Sequence, residues 1–305
     1  MLRAAFISLS ESKSLRSAAE KTWAGQRLSR RFIAGTTIEE ALAATRAVNQ
    51  LGLSVSVDNL GENVTNPDEA RHSAQHYHQM LDRMNEQGLD ANVSLKLTHM
   101  GLDLDEEMAF RISSNLVEHA ARINNFVRID MEGSPYTQRT LDFVRRLHKT
   151  PGLAGHVGAV VQSYLFRSEQ DIEQLVAEGI RVRLCKGAYK EPPEIAFVAK
   201  ADVDANYVKL MKMLLSGGTY HGIATHDEHM IRSTIEFARA EKIPASAFEF
   251  QMLYGVRRDL QLKLIKEGWR CRVYIPFGTE WYPYFMRRLA ERPANLIFIL
   301  KNLFR

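Results

Sequence analysis

The chain has 305 residues, enough to bury a large core and to form one domain of barrel size. Its composition, 45% hydrophobic and 25% charged with a net charge of +4, is ordinary for a soluble globular protein. The basic residues alternate with acidic ones, which argues against nucleic acid as a partner and leaves an anionic ligand or a membrane surface open. No apolar run approaches the ~20 residues of a membrane-spanning helix. The two cysteines, Cys185 and Cys271, lie in apolar runs and suggest a reducing compartment.

The first part of the chain carries helical signals and no strand signal. Residues 1–35 look helical, and Thr37 to Glu40 form a capping box that opens a helix ending near Gly52. The N-terminus has too few consecutive apolar residues for a secretory signal, so we expect a cytoplasmic protein. We expect residues 1–45 to form helices packed on a catalytic domain that spans residues 46–305.

Strand-like and helical segments alternate from residue 53 onward. The strand-like runs are 53–57, 93–97, 126–131, 158–162, 180–185, 222–225, 248–253 and 271–275. A cap at Asn66 and Pro67 opens the first helical segment. Further helical segments occupy 106–123, 140–149, 168–178, 202–215, 227–242 and 259–266. Such alternation indicates a parallel sheet, and eight units that close on themselves form an α/β fold of the (βα)8 barrel type. The rival, an open doubly wound sheet, lacks its glycine-rich dinucleotide signature here.

Polar side chains stand at the ends of several predicted strands, where the active site of a (βα)8 barrel lies. They are Lys96, Asp130, Gln162, Arg183, Lys186, Thr225, His226 and Tyr274. Taken alone, each of these residues is more often the solvated end of a strand or a helix cap than part of a binding site. Together, the cations at these ends predict a mouth that holds a multiply charged anion, with Asp130 as the interior acid.

The helix after the last strand carries a second cationic group. Tyr284 lies three residues before Arg287 and four before Arg288, so the three share a helix face. Two guanidinium groups beside an aromatic ring suit a small carboxylate, although a solvated basic face is the common alternative. The helix-spaced histidines at 72, 76 and 78 lie in a polar helix, where we expect a solvated face and no metal site.

Several runs together resemble the proline dehydrogenase family, from about residue 50 to residue 295. They are Val93-Ser94-Leu95-Lys96-Leu97, Arg183-Leu184-Cys185-Lys186-Gly187-Ala188-Tyr189, Ala224-Thr225-His226, Glu249-Phe250-Gln251-Met252-Leu253 and Tyr284-Phe285-Met286-Arg287-Arg288. The runs look like the short monofunctional bacterial form and the matching domain of the bifunctional proline-catabolism enzymes, and we expect the monofunctional type. The resemblance implies a distorted (βα)8 barrel with non-covalent FAD, which oxidises L-proline to 1-pyrroline-5-carboxylate and passes electrons to a membrane quinone. This reaction is the first step from proline to glutamate.

The resemblance also implies residue roles. Asp130 and Arg183 are implied to be catalytic. The implied proline-binding residues are Lys96, Arg287 and Arg288 for the carboxylate and Tyr189, Leu253, Tyr274 and Tyr284 for the ring. The implied FAD-binding residues are Met131, Gln162, Arg183, Lys186, Gly187, Ala188, Thr225 and His226. We expect Arg183 to lie near the flavin N5 and Asp130 to orient Lys96 or a flavin-side arginine.

Two other functions stay open on the residues alone. Lys96 and Lys186 sit where barrel aldolases place a Schiff-base lysine, and a colourless purified protein would favour that class. A basic scaffold that binds anionic membrane or nucleic acid would show salt-sensitive binding and no turnover. The apolar and basic segment 296–305 could touch a membrane interface at the inner face of the cell membrane, or cover the core as a last helix. The oligomeric state and the particular quinone are left open.

Overall fold

The computed structural model describes residue 22 and residues 29–291, with the side chains at 287 and 289–291 left out. The side chain of Arg287, most of the expected N-terminal helices and the segment 296–305 therefore lie outside the described residues. Within them, eight strands alternate with helices. The strands are β1 (Ser54–Asn59), β2 (Ala91–Leu95), β3 (Val127–Ile129), β4 (Val157–Gln162), β5 (Arg181–Cys185), β6 (His221–Ala224), β7 (Phe248–Leu253) and β8 (Cys271–Phe277). The helices are α1 (Ile38–Asn49), α2 (Pro67–Glu86), α3 (Glu106–Arg122), α4 (Ser134–Lys149), α5 (Ser168–Ala177), α6 (Lys200–Ser216), α7 (Glu228–Ala240), α8 (Arg258–Lys266) and α9 (Trp281–Glu291).

The strands form a closed barrel in which each pairs in parallel with the next, so the predicted (βα)8 architecture is confirmed. Closure comes from β8, which pairs with β1 over six residues and places Val57 opposite Ile275. Apart from Leu253 at the end of β7, the valine, isoleucine and leucine side chains of these strands are almost fully buried. This burial follows from the topology, because a parallel barrel covered by helices exposes neither face of its strands.

Local capping sequences fix where the first helices start. The Thr37 hydroxyl accepts a hydrogen bond from the Glu40 amide (3.2 Å), and the Glu40 carboxylate accepts one from the Thr37 amide (3.3 Å), which forms the predicted capping box of α1. This helix packs on β1 and β8, and the expected division after residue 45 would fall inside it. Helix α4 starts at Ser134 and not at the predicted residue 140, because Pro135 fits a first helical turn.

A second apolar cluster holds the last described helix against the barrel mouth. Phe32 pairs with Phe285 of α9 (ring centroids 6.1 Å apart), and Trp281 packs against the same ring (5.7 Å). Leu60, in the loop after β1, belongs to this cluster. The N-terminal segment and the β1–α2 loop thus fix the helix that carries Arg288. None of the described helices has the length and apolar character to cross a membrane.

The three histidines of α2 do not all face solvent, which corrects the sequence expectation. His72 is exposed, whereas His76 and His78 are half-buried. His78 Nδ1 lies 2.7 Å from the His119 Nδ1 on α3, and His76 Nδ1 lies 3.3 Å from the Asn59 side-chain nitrogen. Helix packing against α3 and β1 accounts for their burial.

Candidate active site

A cavity of about 720 Å³ opens at the C-terminal mouth of the barrel, within the range of about 300–1,000 Å³ that is usual for ligand sites. Strand ends and helix α9 bring the sequence-predicted residues to its wall. Those that line it are Lys96, Asp130, Met131, Gln162, Arg183, Lys186, Gly187, Ala188, Tyr189, Thr225, His226, Leu253, Tyr274, Tyr284 and Arg288. The side chain of Arg287 lies outside the described residues. The cavity is therefore the site that the sequence pointed to.

Lys96 is held by an acid that the sequence analysis did not single out. Its Nζ donates to Asp58 Oδ2 (3.2 Å), and the two side chains are only 10% and 1% exposed. The Tyr274 hydroxyl contacts the same oxygen (2.6 Å), and the Tyr77 hydroxyl donates to Asp58 Oδ1 (3.2 Å). Burial lowers the pKa of Lys96, but the carboxylates of Asp58 and its neighbours outweigh this effect and raise the pKa above its usual range. Lys96 is therefore a fixed, permanently charged cation.

Asp130 pairs with Arg183 and not with Lys96, the other partner considered. Arg183 donates to Asp130 Oδ1 at 2.6 Å, and both side chains are buried. Asp130 Oδ2 lies 2.8 Å from the Tyr274 hydroxyl, which also contacts Asp58. One hydroxyl hydrogen can serve only one of two carboxylates. Burial raises the pKa of Asp130, and the ion pair with Arg183 opposes this effect.

The interior of the barrel fixes the other nitrogens of Arg183. Arg183 Nε donates to Gln251 Oε1 (2.5 Å), and the Gln251 amide donates to Glu249 Oε1 (2.6 Å). The remaining terminal nitrogen donates to Ser94 Oγ at 3.0 Å. Sequence reasoning missed Gln251 and Ser94 as site residues, although polar residues inside buried strands were a usable signal. The guanidinium group is held from three sides.

A separate ion-pair group surrounds Lys186 on the other side of the cavity. Its Nζ donates to Asp204 Oδ1 (2.5 Å) on α6 and to Asp227 Oδ2 (2.8 Å). Asp227 also caps α7, because its carboxylate accepts from the His229 amide (3.0 Å). Burial acts to raise the pKa of Asp227, but the hydrogen bond from Lys186 and the cap lower it to about 2. The acid is charged at neutral pH.

These acids correct the predicted charge of the mouth. The sequence analysis expected a group of cations with Asp130 as the interior acid, which would require a multiply charged anion. In the structure Lys96, Arg183 and Lys186 each have a carboxylate partner within 3.2 Å. Paired cations can be buried at far lower cost than isolated ones. The cavity can therefore form before any ligand binds.

The loop after β5 brings backbone to the cavity wall. Gly187 has a left-handed φ of 119°, and a Cβ at this position would overlap the Tyr164 ring. Glycine is required for both reasons. Beyond it, the imidazole of His226 accepts a hydrogen bond from the Leu253 amide (2.8 Å), and the Thr225 hydroxyl accepts one from the Asp227 amide (3.1 Å). This side of the cavity is a preformed surface of backbone and small polar groups.

Helix α9 brings an arginine and an aromatic ring to the opposite wall, as their spacing predicted. The guanidinium carbon of Arg288 lies 5.1 Å from the centroid of the Tyr284 ring. The Tyr284 side chain is buried, and Arg288 is half-buried. An arginine stacked on a ring keeps its fork of N–H groups in a defined plane, which suits a carboxylate.

The fold and the site define an enzyme of the (βα)8-barrel class, with its charged and aromatic cavity at the C-terminal mouth. The family model described as proline dehydrogenase matches residues 41–301. A curated relative named proline dehydrogenase 1, from Bacillus subtilis subsp. natto, is 41% identical over 99% of each chain. Another, named proline dehydrogenase, from Deinococcus radiodurans, is 39% identical over 94% of this chain and 92% of its own.

The solved structures agree with this assignment. Proline utilization A from Bdellovibrio bacteriovorus, crystallised after inactivation by N-propargylglycine, superimposes with a TM-score of 0.83 and 25% identity. The match covers 89% of this chain and 33% of that longer one. The chain belongs to the proline dehydrogenase family and has the length of its monofunctional bacterial members. It is an oxidoreductase of proline metabolism.

Proposed function

We propose that the protein oxidises L-proline to 1-pyrroline-5-carboxylate, with FAD as a non-covalent cofactor and a membrane quinone as the electron acceptor. The observation that carries the proposal is the composition of one cavity. It brings the cations Lys96 and Arg288 together with the rings of Tyr274 and Tyr284. A cyclic amino acid combines a carboxylate with an apolar ring and needs both kinds of group. We further propose a cytoplasmic enzyme that touches the inner face of the cell membrane to reach the quinone.

The carboxylate of proline would bind between Lys96 and Arg288. Lys96 uses one of its three N–H groups on Asp58, which leaves two for a ligand oxygen. Arg288 offers a planar fork against Tyr284. We propose that Arg287, by its place on α9, contributes the second fork. The ring would be enclosed by Tyr189, Leu253, Tyr274 and Tyr284, which line the same cavity.

The FAD would occupy the part of the cavity beside the β5 loop. The residues that would hold it are Met131, Gln162, Arg183, Lys186, Gly187, Ala188, Thr225 and His226, all of which line the cavity. They fit the cofactor because Gly187 admits a backbone turn that no other residue tolerates, and because Lys186 offers a cation to a diphosphate. When bound, the FAD would supply the acceptor for the hydride of proline and would carry the two electrons onward.

Arg183 and Asp130 would act on the charge that develops during the reaction. The ion pair at 2.6 Å, together with Gln251, holds the guanidinium group without freedom to turn. We propose that Arg183 lies near N5 and stabilises negative charge there. Asp130 orients Arg183 and is not the base that removes the proton from the proline nitrogen. That proton leaves to solvent or on binding.

The rival Schiff-base chemistry finds little support in the two candidate lysines. A Schiff base forms from a neutral amine. Lys96 is paired with Asp58 (3.2 Å), and the pairing raises its pKa. Lys186 donates to both Asp204 and Asp227. Lys96 is therefore held in the charged form, and the Lys186 amine is committed to two carboxylates.

Two substitutions to methionine separate the proposed substrate and cofactor sites. Arg288→Met removes one carboxylate contact and should raise KM for proline strongly while the flavin content per chain stays unchanged. Lys186→Met should lower the flavin content, and adding FAD should restore turnover with a nearly normal KM. Steady-state kinetics and the flavin-to-protein ratio measure both effects. Loss of flavin in Arg288→Met, with an unchanged KM, would show that the two sites are assigned the wrong way round.

A further inference from the structure

The N-terminal end of the barrel carries a second concave site, remote from the active site. A depression of about 400 Å³ is lined by Arg181, Arg270, Arg272 and Tyr220, among others. Arg181 is the first residue of β5, Arg270 directly precedes β8, and Arg272 is the second residue of that strand. The starts of parallel strands meet at one end of a barrel, and the cavity described above lies at the other.

The arginines of this depression outnumber the acid that neutralises them. Arg272 Nε donates to Glu249 Oε1 (2.6 Å), and the Tyr220 hydroxyl donates to Glu249 Oε2 (2.8 Å). Burial acts to raise the pKa of Glu249, but Arg272 outweighs it and lowers the pKa to about 2. Glu249 is thus charged and committed to Arg272. Among residues 29–291, Arg181 and Arg270 form no ion pair, which leaves an excess of positive charge.

The two uncompensated guanidinium groups are held in place by aromatic rings. The guanidinium carbon of Arg181 lies 4.2 Å from the Phe126 ring centroid and 4.9 Å from that of Tyr220. That of Arg270 lies 5.8 Å from the Tyr220 centroid. The Arg181 Nε is buried and has no hydrogen-bond partner. Arg181 is thus stacked, partly removed from water and without an ion-pair partner among the described residues, and such a cation gains most from an anionic ligand, while the exposed Arg270 stands beside it.

We propose that this depression binds a phosphate group, with Arg181 and Arg270 as its ligands. A phosphate group carries about −1.5 to −2 charge near neutral pH, which matches the two uncompensated cations. Guanidinium forks bind phosphate oxygens in pairs. An adjoining depression of about 340 Å³ shares Gly155, Arg181 and Arg272 with the first. The combined space admits an organic phosphate ester as well as the free ion.

Calorimetric titration of the flavin-loaded protein at constant ionic strength tests this site. Inorganic phosphate and glycerol 3-phosphate are the two ligands, and tighter binding of one of them identifies the source of the phosphate group. We expect saturable binding to one site per chain, weakened at least about tenfold in Arg181→Gln and in Arg270→Gln, because each removes a charged hydrogen-bond donor. Arg232→Gln, an exposed position on α7, is the matched control and should bind within about twofold of the original chain.

The outcomes separate this site from the proposed active site. Saturable binding that survives both substitutions, or that disappears in Lys186→Gln, would place the phosphate at the C-terminal cavity and overturn the proposal. Heat that rises linearly and equally in all variants would overturn it too. If Arg181→Gln fails to fold, the Arg270→Gln variant still tests the proposal, because Arg270 is exposed and its substitution does not disturb the core. The assay uses no proline, so an absence of proline oxidation would refute the proposed function and leave this result standing.

Discussion

Asp58→Asn should lower both the stability of the fold and the affinity for proline. Asp58 is almost fully buried and accepts from Lys96 (3.2 Å) and Tyr77 (3.2 Å), with the Tyr274 hydroxyl 2.6 Å away. Asparagine keeps the shape but loses the charge, which leaves Lys96 in the interior without its partner. Removing one member of a buried ion pair costs about 3–5 kcal/mol of unfolding free energy. We expect a loss of that size and a KM for proline raised about tenfold, because Lys96 is no longer held toward the ligand.

Urea unfolding at pH 7 and steady-state kinetics measure the two effects. Asp90→Asn is the matched control, since Asp90 is exposed and its carboxylate accepts from Ser54 Oγ (2.6 Å). Removing the Asp90 charge should cost less than about 1 kcal/mol of unfolding free energy and leave KM for proline unchanged. Equal, small losses in both variants, with no change in KM for Asp58→Asn, would refute the assignment of Asp58 as the residue that holds Lys96.

Three further substitutions test other parts of the site. Gly187→Ala adds a Cβ that overlaps the Tyr164 ring at a left-handed φ of 119°, so the purified protein should retain less flavin. Gln251→Leu removes the acceptor of Arg183 Nε (2.5 Å) and should lower kcat more than it changes KM. Burial lowers the pKa of His99 to about 4 from an ordinary 6.5. The unfolded chain therefore binds a proton at this histidine that the folded chain resists. His99 alone should lower the free energy of unfolding by about 3 kcal/mol from pH 7 to pH 4, and His99→Gln removes this contribution.

Each of these three expectations has a result that contradicts it. Full flavin content in Gly187→Ala would show that the loop has room for a side chain. A raised KM with an unchanged kcat in Gln251→Leu would assign that residue to substrate binding and not to the positioning of Arg183. Identical pH profiles of unfolding free energy for the original chain and for His99→Gln would mean that His99 does not stay neutral on folding.

The barrel was predictable because its signals are local. Runs of valine, isoleucine and leucine at strand length and the caps at Thr37 and Asn66 determine each element from a few neighbouring residues. Boundaries were less certain where tertiary structure decides them. Strand β3 ends at Ile129, before the predicted end at residue 131, although the Asp130 amide still donates to the Leu95 carbonyl of β2 (2.8 Å) and its side chain contacts Arg183 and Tyr274.

The cations of the site were predictable, but most of their acidic partners were not. Asp58 lies 38 residues from Lys96, and Asp130 lies 53 residues from Arg183, so both pairs form only when the barrel closes. Side-chain direction within a strand also depends on register, which the sequence does not specify for a strand buried on both faces. An acid inside the apolar run of β1 was the available signal for Asp58.

The visible spectrum of the purified protein, recorded without oxygen before and after L-proline is added, tests the central claim most directly. We predict a yellow protein with the absorbance of oxidised flavin, which bleaches on addition of proline as the bound FAD takes up two electrons. A colourless protein with no FAD released on denaturation would contradict the proposed cofactor. A yellow protein whose spectrum is unchanged by L-proline would contradict the proposed reaction.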